Sequence, residues 1–266
     1  MSKEKSGGGI SLATKLRYET PENFFPIAVD DFFNDPEMIV DYGKSLPKKN
    51  IDRQPGRSSG SLWEIDNILS RAIMMKILSC YYDLDYIDIS WQESEMSFRE
   101  IPRFSENKND IRNKGWIHQD DNDHAQLAGL IYLTPNIDPD SGTSLYSVKS
   151  NKYKKEKQVL KNELYKSGHF DREEYTKSYI NHEKALFEKV RFQNSFNRLI
   201  MYDTGEWHRA NSFYNGDGED ARLTLAFFVG NVYEDVPSHE LMSISPLKRT
   251  KNSEFESVIK LQIEKK

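Results

Sequence analysis

From Tyr86 to Val229 the chain is a succession of short segments in which apolar and polar residues alternate, and this pattern constrains the fold more than any other feature. Ile87-Asp88-Ile89-Ser90-Trp91 and Met96-Ser97-Phe98-Arg99-Glu100-Ile101 open the series. Residues 115–120, 127–134, 143–148, 188–193, 198–203, 207–212 and 222–229 read as further strands. Turn chemistry separates several of them, in Pro135-Asn136, Asp140-Ser141-Gly142, Asp203-Thr204-Gly205 and Asn215-Gly216-Asp217-Gly218. Many short strands in sequence predict a double-sheet barrel or jelly roll, an architecture that limits exposed edges.

The residues before Tyr86 have a helical texture. Pro36 stands in the first turn of a helix capped near Asn34 or Asp35, with Met38, Ile39, Tyr42 and Leu46 at helical spacing. A second helix is predicted over 63–84, where Leu62, Ile65, Ile68, Leu69, Ile73 and Ile77 recur every three or four residues. The expected organisation is a flexible leader over 1–21 and a single domain over 22–234. That domain comprises helical support (22–84), a β core (86–230) and a charged helical insertion (152–186); a peripheral, partly ordered tail (235–266) follows it. The insertion reads as a solvated helical excursion, with a lid over a site as the sharper alternative.

Bulk properties narrow the function classes. Of 266 residues, 12% are aromatic, which argues for a packed core rather than disorder. The net charge of −5 leaves no electrostatic footprint for nucleic acid. A lone Cys80 excludes an intrachain disulfide and a cysteine-rich zinc site. No stretch approaches the ~20 apolar residues that span a bilayer, and Met1 to Gly9 lacks the apolar core of a secretory signal. A cytoplasmic protein with no membrane role is the expectation.

Chemistry is concentrated in Trp116-Ile117-His118-Gln119-Asp120 and in the remote His208. On a strand, His118 and Asp120 share a face. A second imidazole from another strand would complete two histidines and a carboxylate, a set that binds a divalent metal on one side and leaves the other open. Asp121 and His124 compete for the carboxylate and imidazole roles, but alternation favours Asp120 and assigns His124 to a loop. His169, His182 and His239 read as surface residues. An isolated His-x-Asp is a weak motif, and His118 and His208 read alone are ordinary sheet histidines. Arg222-Leu223-Thr224 raises the odds. Arg222 and Thr224 share one face of an otherwise apolar strand, and an arginine pointing into a barrel calls for an anion such as a carboxylate.

In their order, His118-Gln119-Asp120, Leu130-Ile131-Tyr132-Leu133-Thr134-Pro135, Gly142-Thr143-Ser144-Leu145-Tyr146, His208 and Arg222-Leu223-Thr224 resemble the 2-oxoglutarate and iron(II)-dependent dioxygenases, and within them the prolyl-4-hydroxylase-like branch. The resemblance covers roughly 96–229. It implies a mainly β fold with packing helices, the double-stranded β-helix (jelly roll, cupin-like). It implies His118, Asp120 and His208 as the catalytic iron ligands, with 2-oxoglutarate bound by Arg222, Thr224 and Tyr132. Thr134 stands where the family's Tyr-Leu-Asn strand has asparagine. The implied activity is hydroxylation of a C–H bond, using O2 and decarboxylating 2-oxoglutarate to succinate, on a peptide side chain or small metabolite. Arg99, Asn211 and Tyr146 are candidate substrate contacts. Trp116, Leu130 and Trp207 are candidates for excluding water, although each taken singly reads first as plain core packing. Two other readings remain: a cupin-like metal protein without oxygenase activity, and a catalytically silent interaction barrel.

Overall fold

The computed structural model describes residues 18–19, 24–51, 55–85, 89–91, 93–120, 126–150, 164, 171–215, 221–230, 232–234 and 250–265. In chain order the elements are β1 (Tyr18–Glu19), β2 (Ile27–Val29), α1 (Pro36–Ser45), β3 (Lys49–Asn50), β4 (Arg57–Ser58), α2 (Leu62–Ile65), α3 (Asn67–Leu78), β5 (Ile89–Ser90) and β6 (Glu93–Pro102). There follow β7 (Leu127–Tyr132), β8 (Thr143–Val148), α4 (Arg172–Lys184), β9 (Leu186–Phe192), β10 (Leu199–Asp203), β11 (Trp207–Ala210), β12 (Ala221–Gly230), β13 (Tyr233–Glu234) and α5 (Thr250–Glu264).

Among the described residues the strands form three sheets. The large one runs β2-β10-β7-β12-β6-β4-β3, a smaller one runs β11-β8-β9, and a third runs β1-β13-β5. An isolated antiparallel bridge between His118 and His208 sets the segment around His118 beside β11. Followed along the chain, β6 lies in the large sheet and the His118 segment beside the small one. β7 then returns to the large sheet, β8 and β9 lie in the small one, β10 in the large, β11 in the small and β12 in the large. This shuttling between two facing sheets is a double-stranded β-helix, and the chain is mainly β with packing helices.

Alternation gives the large sheet two distinct faces. Met96, Phe98, Leu127, Ile131, Leu199, Met201, Leu223, Leu225, Phe227 and Val229 join the helical residues Ile39, Leu69, Ile73 and Ile77 in one core. Full burial of side chains such as Leu225 and Phe227 contributes roughly 1.5–3 kcal/mol each. The opposite face sets Ala128, Tyr132, Ile200 and Tyr202 against Leu145 and Phe192 of the small sheet. This second interior holds the chemistry.

The first helix begins where the sequence predicts. Asp35 caps α1, its carboxylate accepting from Met38 N, with Pro36 at the first position. The single helix expected over 63–84 is instead two. Asp66 adopts extended backbone (φ −157°, ψ 92°), ends α2 and accepts from Leu69 N at 2.9 Å as the cap of α3.

Three expectations change. Most of the leader lies outside the described residues, but its Tyr18–Glu19 pair with β13. The C-terminal segment is not peripheral over 250–264. There α5 buries Ile259 completely, packs Phe255, Val258 and Ile263 against the main core, and pairs Glu256 with the buried Lys76 of α3. Within the charged insertion α4 is no free helix, because Tyr175, Tyr179 and His182 are buried against Trp116. Apart from Leu164, residues 151–170 lie outside the described residues. No helix among the described residues is long and apolar enough to cross a membrane.

Candidate metal centre

The site begins with backbone pairing. His118 N donates to His208 O at 2.9 Å and His208 N donates to His118 O at 2.7 Å. Directly opposed residues of an antiparallel pair present their side chains on one face, and the two imidazole centroids lie 4.4 Å apart. Gly115 permits this approach. Its N–H donates to Ala210 O at 3.0 Å, and a Cβ at that position would stand 2.3 Å from the same oxygen.

Both rings are held in one tautomer. His118 Nδ1 lies 2.8 Å from Trp116 O, and His208 Nδ1 lies 2.9 Å from Glu206 O. A carbonyl oxygen can only accept, so in each neutral ring Nδ1 carries the proton and Nε2 keeps its lone pair. Those Nε2 atoms face the two oxygens of Asp120, at 3.8 Å from His118 and 3.5 Å from His208. One ligand atom from each of the three residues lies within 4.8 Å of the others. Two bare imidazole nitrogens and a carboxylate fit a divalent transition metal, with the backbone carbonyls orienting the rings from behind. His208 is buried, whereas His118 and Asp120 are partly exposed, so the cluster opens toward solvent on their side. Asp121 and His124, the competing ligands, lie outside the described residues, as do His169 and His239.

Tyr202, which the sequence reading passed over, packs its ring 4.9 Å from that of His208. Burial, and then the facing Asp120 carboxylate, push its hydroxyl well above the usual tyrosine range, so it stays neutral. The alternation of strand 198–203 could have found it, since Tyr202 shares a face with Ile200.

Deeper in the same interior, Arg99, Thr224 and Tyr132 line up across β6, β12 and β7. Arg222, two residues before Thr224, is 4% exposed and donates from one Nη to Ser141 O (2.9 Å) and Ser212 O (3.0 Å), with Phe213 beneath its guanidinium. Tyr132 is 1% exposed and donates to Thr143 Oγ1 at 2.9 Å; burial pushes its hydroxyl up to about 12. The Thr134 hydroxyl accepts from Leu223 N at 2.7 Å and so ties the end of β7 to β12.

The three candidate substrate contacts separate. Arg99 lies on the inner face, where burial lowers its pKa and the Asp120 carboxylate is the first charge opposing that shift. Tyr146 packs with Ile117 and Leu186, lies under the Arg209 guanidinium and bonds Glu188, so the structure does not bring it to the metal cluster. Asn211 follows β11 and donates its N–H to Gly142 O, and its side-chain amide is buried without a hydrogen-bond partner among the described residues. Trp116 and Trp207 belong to packing clusters behind the histidines, and Leu130 packs in the inner core. His182, expected at the surface, is 2% exposed and stacks on Trp116.

The sequence profile of DUF6445, described as a family of unknown function, matches residues 20–229. The chain belongs to this family. The matched span of this DUF6445 protein contains His118, Asp120, His208 and Arg222. No curated protein matches it. Among solved structures it is similar to the prolyl hydroxylase from Trichoplax adhaerens in complex with a hypoxia-inducible-factor peptide (13% identity, 77% of this chain and 83% of that one, TM-score 0.45). It is also similar to HygX from Streptomyces hygroscopicus with nickel and 2-oxoglutarate bound (12% identity, 83% and 90% coverage, TM-score 0.43). A prolyl-4-hydroxylase from Pseudomonas putida follows at 10% identity, 77% and 92% coverage and TM-score 0.39.

Proposed function

We propose that this DUF6445 protein is an iron(II)- and 2-oxoglutarate-dependent oxygenase that hydroxylates a C–H bond of a peptide side chain or small metabolite. The observation that carries the reading is the pair of Nε2 lone pairs converging on the Asp120 carboxylate, in an interior that also holds the buried Arg222. His118, Asp120 and His208 are the catalytic ligand set. Iron and 2-oxoglutarate, when bound, supply oxygen activation and the electrons released by decarboxylation to succinate.

The chain's own residues bind, orient and exclude. Arg222 pairs with the distal carboxylate of 2-oxoglutarate, a charge-assisted contact suited to a guanidinium fixed by two carbonyls. Thr224 and Tyr132 offer hydroxyls beside it. Tyr132, protonated throughout the physiological range, can turn its hydrogen from Thr143 to that carboxylate. Ala128, Ile200, Leu145 and Phe192 keep water from the inner end. Substrate approaches from the side where His118 and Asp120 are exposed.

Succinate release from 2-oxoglutarate by the iron(II)-loaded protein tests the proposal, alongside anaerobic titration for a weak visible charge-transfer band. Both signals are expected. Absence of 2-oxoglutarate binding to the metal-loaded protein would overturn it.

A further inference from the structure

We propose that α4 is a brace that sets the distance between the two metal-binding imidazoles, with His182 and Tyr179 as its positioning residues. The inference rests on reading His118, Asp120 and His208 as a metal centre, and it gives the charged insertion a function.

The segment that carries His118 is poorly supported by sheet structure. Among the described residues its backbone pairing consists of Gly115 N with Ala210 O and the reciprocal His118–His208 exchange. Its three carbonyls preceding His118 are all engaged. Trp116 O accepts from the ring of His118 itself. Ile117 O accepts from His182 Nε2 at 2.7 Å, and Gly115 O accepts from the Tyr179 hydroxyl at 3.4 Å. Two of the three donors therefore come from α4.

The same helix reaches the other ligand-bearing strand. Arg209, next to His208, donates from Nη1 to the Tyr179 hydroxyl and to Glu183 Oε1, the latter at 2.7 Å. Its guanidinium lies over the Tyr146 and Tyr179 rings, 5.2 and 5.8 Å from their centroids. Tyr175, Tyr179, His182 and Glu183 recur at intervals of four, three and one, which places them on one helix face. One rigid face thus grips residue 117 on one side and residue 209 on the other, each adjacent to a metal-ligand histidine.

Packing and tethers fix the brace. The His182 ring stacks on Trp116 with centroids 5.2 Å apart and planes 15° apart, and meets the edge of Trp207 at 5.9 Å. At the start of the helix Arg172 donates to Asp110 at 2.9 Å, and Asp110 caps the turn Ile111–Asn113 that leads into the His118 segment. Just past its end Ala185 O accepts from Lys149 N at 3.0 Å. Metal centres require ligand atoms held within about 0.5 Å, and the groups behind the ligands supply that precision.

The test uses the full chain with Mn(II) as probe, reading affinity by calorimetry and the thermal midpoint of the metal-free protein. His182→Leu removes the donor to Ile117 O, whereas His182→Gln keeps an N–H that can reach it. Both disturb the Trp116 stack, so a purely structural role would lower their midpoints together and leave Mn(II) affinity untouched. The brace predicts a split: about 10-fold weaker Mn(II) binding for His182→Leu and near wild-type binding for His182→Gln. Tyr179→Phe, which preserves the ring packing, gives an independent arm, with Mn(II) binding weaker by roughly 3-fold or more on losing the hydroxyl contacts to Gly115 O and Arg209. Equal affinity for His182→Leu, His182→Gln and wild type would overturn the brace and leave the metal centre standing. A wild-type protein that takes up no Mn(II) would overturn the metal centre itself.

Discussion

His118 and His208 are opposite partners of a single antiparallel bridge, and each bonds its Nδ1 to the carbonyl two residues before it, Trp116 in one case and Glu206 in the other. The local geometry is therefore repeated on two strands of opposite direction. Each segment orients its own ring, and the bridge, flanked by the contacts of α4, sets the rings side by side. Both Nε2 atoms face the Asp120 carboxylate.

Removing the carboxylate should remove the metal. Asp120 lies outside the ladders, so Asp120→Ala is expected to keep the fold, with an unchanged circular dichroism spectrum. Mn(II) affinity should fall by more than the roughly 10–100-fold lost when a group behind a ligand is deleted. Calorimetric titration checks this, and an unchanged Mn(II) affinity would mean that another carboxylate completes the set.

The 2-oxoglutarate reading makes a graded prediction at two residues. Arg222→Met removes a charge-assisted contact worth about 1.5–3 kcal/mol, so 2-oxoglutarate binding should weaken by roughly 10- to 100-fold while Mn(II) binding holds. Tyr132→Phe removes one neutral hydrogen bond, for an effect of about 2- to 10-fold. Because the Tyr132 hydroxyl titrates only near 12, the Phe effect should be flat between pH 6 and 9. Equilibrium binding of 2-oxoglutarate to the Mn(II)-loaded variants checks both magnitudes and the pH dependence.

The two-faced strands were readable from alternation alone, and so was the shared face of Arg222 and Thr224, whereas Tyr132, the cross-strand partner of Thr224, came from the family resemblance. His118 and Asp120 also converge, although their segment forms only one bridge rather than the strand predicted over 115–120. What escaped was burial imposed by tertiary partners. In α4 the stripe Tyr175, Tyr179, His182 was present in the sequence, but dense surrounding charge made the helix read as solvated. In α5 the set Phe255, Val258, Ile259 and Ile263 has helical spacing, yet it is too narrow to announce a core helix before α3 is there to receive it. His182 could not be told from a surface histidine without Trp116 beside it.

Acid should loosen the junction between α4 and the His118 segment. Hydrogen bonds from Arg112, and then from Arg172, hold the Asp110 carboxyl well below the usual carboxylate range. A folded-state pKa below the unfolded 3.8 means the unfolded chain takes up the proton first as pH falls. The stabilisation is thus fully present above that value and is lost as pH drops below it toward the folded pKa. Urea midpoints of wild type and Asp110→Asn should differ at pH 5–7 and converge progressively below about pH 4. A difference that stays constant down to pH 2 would contradict the ion-pair origin of the shift.

The C-terminal helix should prove integral to the domain. Ile259 is fully buried in the core shared with α1 and α3, and Glu256 pairs with Lys76, which is itself nearly buried. Ile259→Ala deletes side-chain volume from a packed interior and should cost about 2–5 kcal/mol in urea unfolding. Leu261→Ala on the same helix alters an exposed side chain and should stay within ±0.5 kcal/mol. The contrast isolates packing from helix propensity, since both changes introduce alanine into the same helix. If Ile259→Ala were as mild as Leu261→Ala, α5 would not share the cooperative unit, and the coupling of Glu256 to Lys76 would be a surface contact only.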